Sequence, residues 1–138
     1  MLKHLTSHRQ FQLVLSGMVL ARTSHFVLHG LDYSFLDTPH RDLFSGHAVW
    51  MGVMVPKRWA KRAVTRNTIK RQIYAIGRDY ETSLVLSAYV VRLRRGFDRV
   101  QYVSATSKAL KEAVRDELTS LFTEAASRLM PVAPKVCS

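Results

Sequence analysis

The sequence predicts a small α+β domain in which the order helix, strands, helix, strand, helix wraps around one mixed sheet. Three observations predict it. The chain has 138 residues, enough for one domain with one hydrophobic core. Its apolar pattern shifts along the chain between a period of about 3.6 residues and short β-branched runs. The periodic segments are separated by turn-forming residues, with no internal repeat and no low-complexity tract. Residues 1–130 are expected to form a single domain, and residues 131–138, which begin with a proline, a disordered tail.

Each element has its own signal. Ser7 followed three residues later by Gln10 is a capping box, and Phe11, Val14, Leu15 and Met18 recur at helical spacing. A helix is expected from about His8 to Ser16, ended by Gly17. HFVLHGLD at 25–32 is rich in branched and aromatic residues and reads as a strand. Asp37-Thr38-Pro39 and Ser45-Gly46 make the stretch from Tyr33 to Gly46 a long connecting loop. A second strand, HAVWMGVMV, stops at Pro56. Between Ala63 and Arg78 the period becomes helical, with Ile69, Ile73 and Ile76 on one stripe. SLVLSAYVVRL at 83–93 reads as a buried strand that runs into the basic turn Arg92-Leu93-Arg94-Arg95-Gly96. Its return beside an earlier strand after the helix suggests a crossover connection. From near Ser107 a long apolar face (Ala109, Leu110, Ala113, Val114, Leu118, Leu121, Phe122, Ala125 and Leu129) marks a final helix stopped by Pro131 and Pro134.

Charge is the unusual quantity. Twenty-one Lys and Arg against ten Asp and Glu leave a net +11, an excess that repels itself unless a polyanion is near. It is concentrated in KRWAKRAVTRNTIKRQIY at 57–74, which holds seven Lys or Arg and no acidic residue. No Asp or Glu occurs between Asp42 and Asp79, so local ion pairing cannot account for the charges. At roughly 100° per residue, Arg66, Lys70, Tyr74, Asn67 and Arg71 gather on an arc beside the isoleucine stripe. A solvated face ordinarily mixes both signs, and this one does not. The alternative is a phosphate-binding surface: Arg66 and Arg71 can fork onto phosphate oxygens, Lys70 supplies a point charge, and Asn67 can reach a base edge or sugar. Lys57, Arg58, Lys61 and Arg62 widen the patch. Arg92, Arg94, Arg95 and Arg99 form a second cluster, read equally as an RNA contact or a solvated turn. A bilayer would want the isoleucine stripe that the core needs, and a helix-turn-helix needs two adjoining helices. RNA is therefore the expected polyanion, with no membrane partner.

Other chemistries find little support. The single cysteine, Cys137, has no disulfide partner within the chain, and a reducing cytoplasm is expected. FQLVLSGMVLA at 11–21 imitates a signal peptide but is interrupted by Gln12 and followed at once by Arg22. No run approaches the roughly 18 apolar residues of a membrane span. Among the six histidines, His4 falls outside the helix that carries His8, and His25 and His29 on one strand face would stand roughly 13 Å apart at about 3.3 Å per residue. There is no HExxH, glycine-rich phosphate loop or close carboxylate pair, so no catalytic residue is expected in the protein itself.

AVTRNTIKR at 63–71, preceded by VPKR at 55–58, is similar to the signature of the bacterial ribonuclease P protein subunit. HRQFQLVLSG resembles that family's first helix, HFVLHGLD and VWMGVMV its strands, and LVLSAYVVRL its last strand. Thr68 stands where the family usually has a second arginine, and Leu15 where it often has an aromatic residue. The resemblance implies a protein subunit of a ribonucleoprotein endoribonuclease that removes the 5′ leader of precursor tRNA. It further implies a catalytic RNA partner, magnesium held mainly by that RNA, no obligate protein partner and a left-handed βαβ crossover. On the implied leader-binding sheet face, Phe11 could stack on an unpaired base or serve as a core residue. His29 is the other leader-binding candidate on that face, although the outward set of the strands that carry His29, Trp50 and Met51 is not fixed by the sequence. The alternative is a structural RNA-binding protein of ribosomal or ribosome-assembly type.

Overall fold

A computed structural model of the chain describes residues 2–32, 36, 42–44, 48–84, 87–97 and 108–129. Strands β1 (Leu2–His4), β2 (Met18–Arg22), β3 (Phe26–Leu31), β4 (Val49–Met54) and β5 (Ala88–Leu93) form one sheet in the order β1-β4-β5-β3-β2. It is mixed. β1 and β5 flank β4 in parallel, and β3 pairs antiparallel with both β5 and β2. Helix α1 (His8–Leu15) follows β1, α2 (Ala63–Asp79) is the crossover between β4 and β5, and α3 (Lys108–Leu129) comes last.

The capping box forms as its residues require. The Gln10 amide donates to Ser7 Oγ at 3.1 Å, and Gln10 Oε1 accepts from the Ser7 and Thr6 amides at 3.0 and 2.8 Å. Gln10 Nε2 then donates to the Leu43 carbonyl at 2.6 Å, which ties the helix start to a distant loop. Every polar atom of this buried side chain is thereby satisfied.

Two strands were not anticipated, and one residue was misplaced. Met18, assigned by spacing to the apolar stripe of α1, opens β2 and is 68% exposed. α1 ends before it because Gly17 passes against β3, where a Cβ would lie 2.4 Å from the Gly30 carbonyl oxygen. A bulge between Val19 and Ala21 breaks the alternation that would have revealed β2, and β1 is too short for any period. The expected strand at 83–93 is shorter, since Glu81–Ser83 form a 3-10 turn and β5 starts at Ala88. Most of the expected loop at 33–46, and the tail at 131–138, lie outside the described residues.

The sheet has an apolar layer on each side. Val49, Met51, Val53, Phe26, Leu28, Tyr89, Val91 and Leu93 face the isoleucine stripe of α2 and the apolar face of α3, including Leu118, Leu121 and Phe122. On the other side α1 packs over Trp50, Ala88 and Val90 through Val14. Central strands covered on both faces need unbroken apolar runs, which is how VWMGVM and AYVV read.

Candidate nucleic-acid interface

The isoleucines of α2 are buried, and Asn67, Lys70, Arg71 and Arg78 lie on its exposed side. Lys57, Arg58, Lys61 and Arg62 are exposed in the loop before it. Among the described residues none of these cations is paired with a carboxylate; the ion pairs are His25 with Glu117, Lys108 with Glu112, and Arg128 with Glu124. Arg62 at the N-cap makes no side-chain cap bond, and the first turn holds no acidic residue. The positive end of the helix dipole thus points at a cluster of like charge, an arrangement that an external anion would relieve.

Arg66 is used differently from the expectation. Its Nη1 donates to the carbonyls of Ala60 at 3.0 Å and Lys61 at 2.9 Å, so only part of its fork remains for a phosphate. The Pro56 carbonyl accepts from the amides of Trp59 and Ala60, both at 3.1 Å. Between them these bonds fix the basic loop from both ends.

β4 and β5 run parallel, with Met54 opposite Arg92, so the segments that follow them emerge at the same end of the sheet. There the loop at 57–62 meets the turn after β5: a Cβ on Gly96 would stand 2.7 Å from the Trp59 carbonyl oxygen. Of the second basic cluster, Arg94 is occupied internally, its Nε and Nη2 donating to the Thr23 carbonyl at 3.0 and 2.8 Å. Arg95 is exposed, and Arg99 lies outside the described residues.

On the α1 side of the sheet, Gly52 makes room for Phe11, whose Cε1 would be 2.5 Å from a Cβ at that position. Phe11 is half-buried, so its core and surface readings both hold in part. Strand register places Gly52, Val90, His29 and Val19 in one row, and Met54, Arg92, Val27 and Arg22 in the next on the same face. Trp50 is on this side, whereas Met51 points into the opposite core. His29 is only 7% exposed, so it lies under the surface instead of presenting itself to a ligand. Arg92 Nε donates to His29 Nε2 at 3.3 Å, which puts the neutral ring's proton on Nδ1. His25 does not share this face: its Nδ1 bonds Glu117 Oε1 of α3 at 2.8 Å. No group of three or more His, Cys, Asp or Glu among the described residues could hold a metal ion.

A ribonuclease P family model matches residues 2–125. The chain belongs to the ribonuclease P protein family. It is 34% identical over 118 residues to the ribonuclease P protein component of Bordetella parapertussis, covering 85% of this chain and 86% of that one. With the Ralstonia pickettii component it shares 34% over 130 residues, or 94% and 83% of the two chains. Its fold matches the Staphylococcus aureus RNase P protein with a TM-score of 0.64 at 16% identity, over 93% and 97% of the chains. The Thermotoga maritima protein matches at 0.56 and 18%, over 86% and 97%. Within the family pattern, Thr68 is the notable departure. It is 7% exposed and its hydroxyl donates to the Val64 carbonyl at 2.8 Å, so the position adds no cation to the helix surface.

Two measurements check this geometry. Arg66→Ala should cost about 1 kcal/mol in urea unfolding by orphaning two carbonyls, while a Lys70→Ala/Arg71→Ala double variant stays within about 0.5 kcal/mol of the parent. Equal losses in both would mean that Arg66 does not hold the loop. The pKa of His29 is lowered by burial, then by Arg92 and Arg22. A depressed folded-state pKa contributes stability that is full above the unfolded value of about 6.5 and is lost as pH falls below it. Stability should therefore decline on acidification below that point, with a shallower decline in His29→Gln; identical pH profiles would contradict the burial of a neutral ring.

Proposed function

We propose that the chain binds the catalytic RNA of ribonuclease P through the basic loop at 57–62 and the exposed side of α2, and so assists removal of the 5′ leader from precursor tRNA. One observation carries the reading: seven cations between Lys57 and Arg71, running from the loop after β4 into the first half of α2, have no carboxylate partner among the described residues. Lys57, Arg58, Lys61, Arg62, Lys70 and Arg71 neutralise phosphates, Asn67 reaches a sugar or base edge, and Arg66 shapes the loop that presents them. Bringing two polyanions together is the electrostatic difficulty, and cations fixed between them reduce it.

The face beside α1 takes the single-stranded leader in this reading. Phe11 offers a sequence-tolerant stacking surface, and Arg22 and Arg92 supply charge along the adjoining row. His29 acts here through Arg92, whose direction it sets, and not by touching RNA. Magnesium that supports the cut is assigned in this reading mainly to the RNA partner, as the family resemblance implies. No helix among the described residues is long and apolar enough to cross a membrane. The cytoplasm is the compartment this reading assigns.

Purified protein alone should leave precursor tRNA intact, and addition of its cognate catalytic RNA should restore 5′ processing at low magnesium. Binding to the RNA should weaken with salt at a log–log slope near −4 to −5, corresponding to about six neutralised phosphates. The Lys70→Ala/Arg71→Ala variant should flatten that slope by about one to two units. Tight RNA binding with no stimulation of cleavage would instead favour a structural RNA-binding role of ribosomal or assembly type.

A further inference from the structure

A cavity of about 310 Å³ opens where the basic loop meets the turn after β5. Arg58, Lys61 and Arg62 lie on one side of it, Gly96 and Phe97 on another, and buried Ile69 and Leu110 close its base. We propose that this cavity holds one unstacked nucleotide of the RNA partner, its base against Trp59 and Phe97 and its phosphate on Arg58, Lys61 and Arg62. The inference rests on the RNA-binding function proposed above and names a site within that surface.

The chemistry of the walls selects the ligand. A volume of this size falls at the small end of ligand sites, which span about 300–1,000 Å³, and excludes a duplex or a folded peptide. An apolar base with aromatic sides and a cationic rim matches the two ends of a nucleotide, a π face and a phosphate. Thr65 adds a hydroxyl that can serve a base edge.

The Trp59 backbone and the Phe97 ring are held in place before any ligand arrives. Trp59 remains 37% exposed even though its backbone is clamped, its amide donating to Pro56 and its carbonyl resting on Gly96. The Arg58 guanidinium lies 5.4 Å from the indole centroid, joining the cationic and stacking parts of the site. Phe97 is stacked on His25 at 4.0 Å with planes 7° apart, and His25 is itself anchored to Glu117. A partly exposed tryptophan beside unpaired cations offers a base a stacking platform and its phosphate a counter-charge.

The test uses the protein reconstituted with its catalytic RNA, irradiated with ultraviolet light and digested, with the crosslinked peptides read by mass spectrometry. A nucleotide adduct is expected on the peptides carrying Trp59 or Phe97. Trp59→Ala should weaken RNA binding by about 5- to 150-fold, Trp59→Phe should recover most of it, and both variants should keep the parent's melting temperature. In parallel, tryptophan fluorescence is titrated with adenosine 5′-monophosphate on the protein alone. Saturable quenching that Trp59→Ala abolishes, without any RNA adduct, would overturn the proposal in favour of a free-nucleotide site. Absence of both signals would overturn it in favour of a packing void. The same mixture is assayed for 5′ processing: cleavage without an adduct removes the nucleotide site and leaves the proposed function standing, and loss of cleavage together with the adduct removes both.

Discussion

The parallel pairing of β4 with β5 is the constraint on which the functional surface depends. Parallel neighbours cannot be joined by a hairpin, so a long connection must carry the chain back across the sheet, and α2 is that connection. The two strands then end on the same side, which delivers Lys57 to Arg62 and Arg94 to Phe97 to one place. In an antiparallel pair of the same strands these segments would part by the length of six residues, roughly 20 Å. The hydrogen-bonding pattern of the sheet centre thus decides where the charge accumulates.

That accumulation has to be supported by the rest of the molecule. The apolar faces of α2 and α3 bury a continuous layer against β3, β4 and β5, and this layer holds the crossover helix down despite the repulsion along its outer side. Two arginines belong to the support and not to the surface. Arg66 closes the loop before α2, and Arg94 fastens the turn after β5 to Thr23. Sequence alone does not separate such residues from their ligand-facing neighbours, because a guanidinium satisfies backbone carbonyls and phosphate oxygens with the same donors.

Much of the fold was legible because its signals were local. The capping box of α1, the isoleucine stripe of α2 and the unbroken apolar runs of β4 and β5 each follow from residues within a few positions of one another. β1 and β2 were not legible: the first has three residues, and the bulge in the second removes its alternation. The basic patch, with Trp59 inside it, could be read from charge spacing, but Phe97 could not be joined to it, since the turn after β5 reaches that loop only in the folded chain. Nor was the placement of His29 legible. Its burial depends on strand register and on the side chain of Arg92, neither of which a linear pattern contains.

The two outermost strands carry a final consequence. β1 offers only three residues of ladder, and β2 is kinked by its bulge, so neither rim of the sheet presents a long flat template for another chain. A polycation that gathers along a nucleic acid is raised to a high local concentration, the condition under which open rims zip together into aggregates. With both rims cut short or bent, neighbouring copies crowded on one polyanion lack the straight backbone partner that such fusion requires.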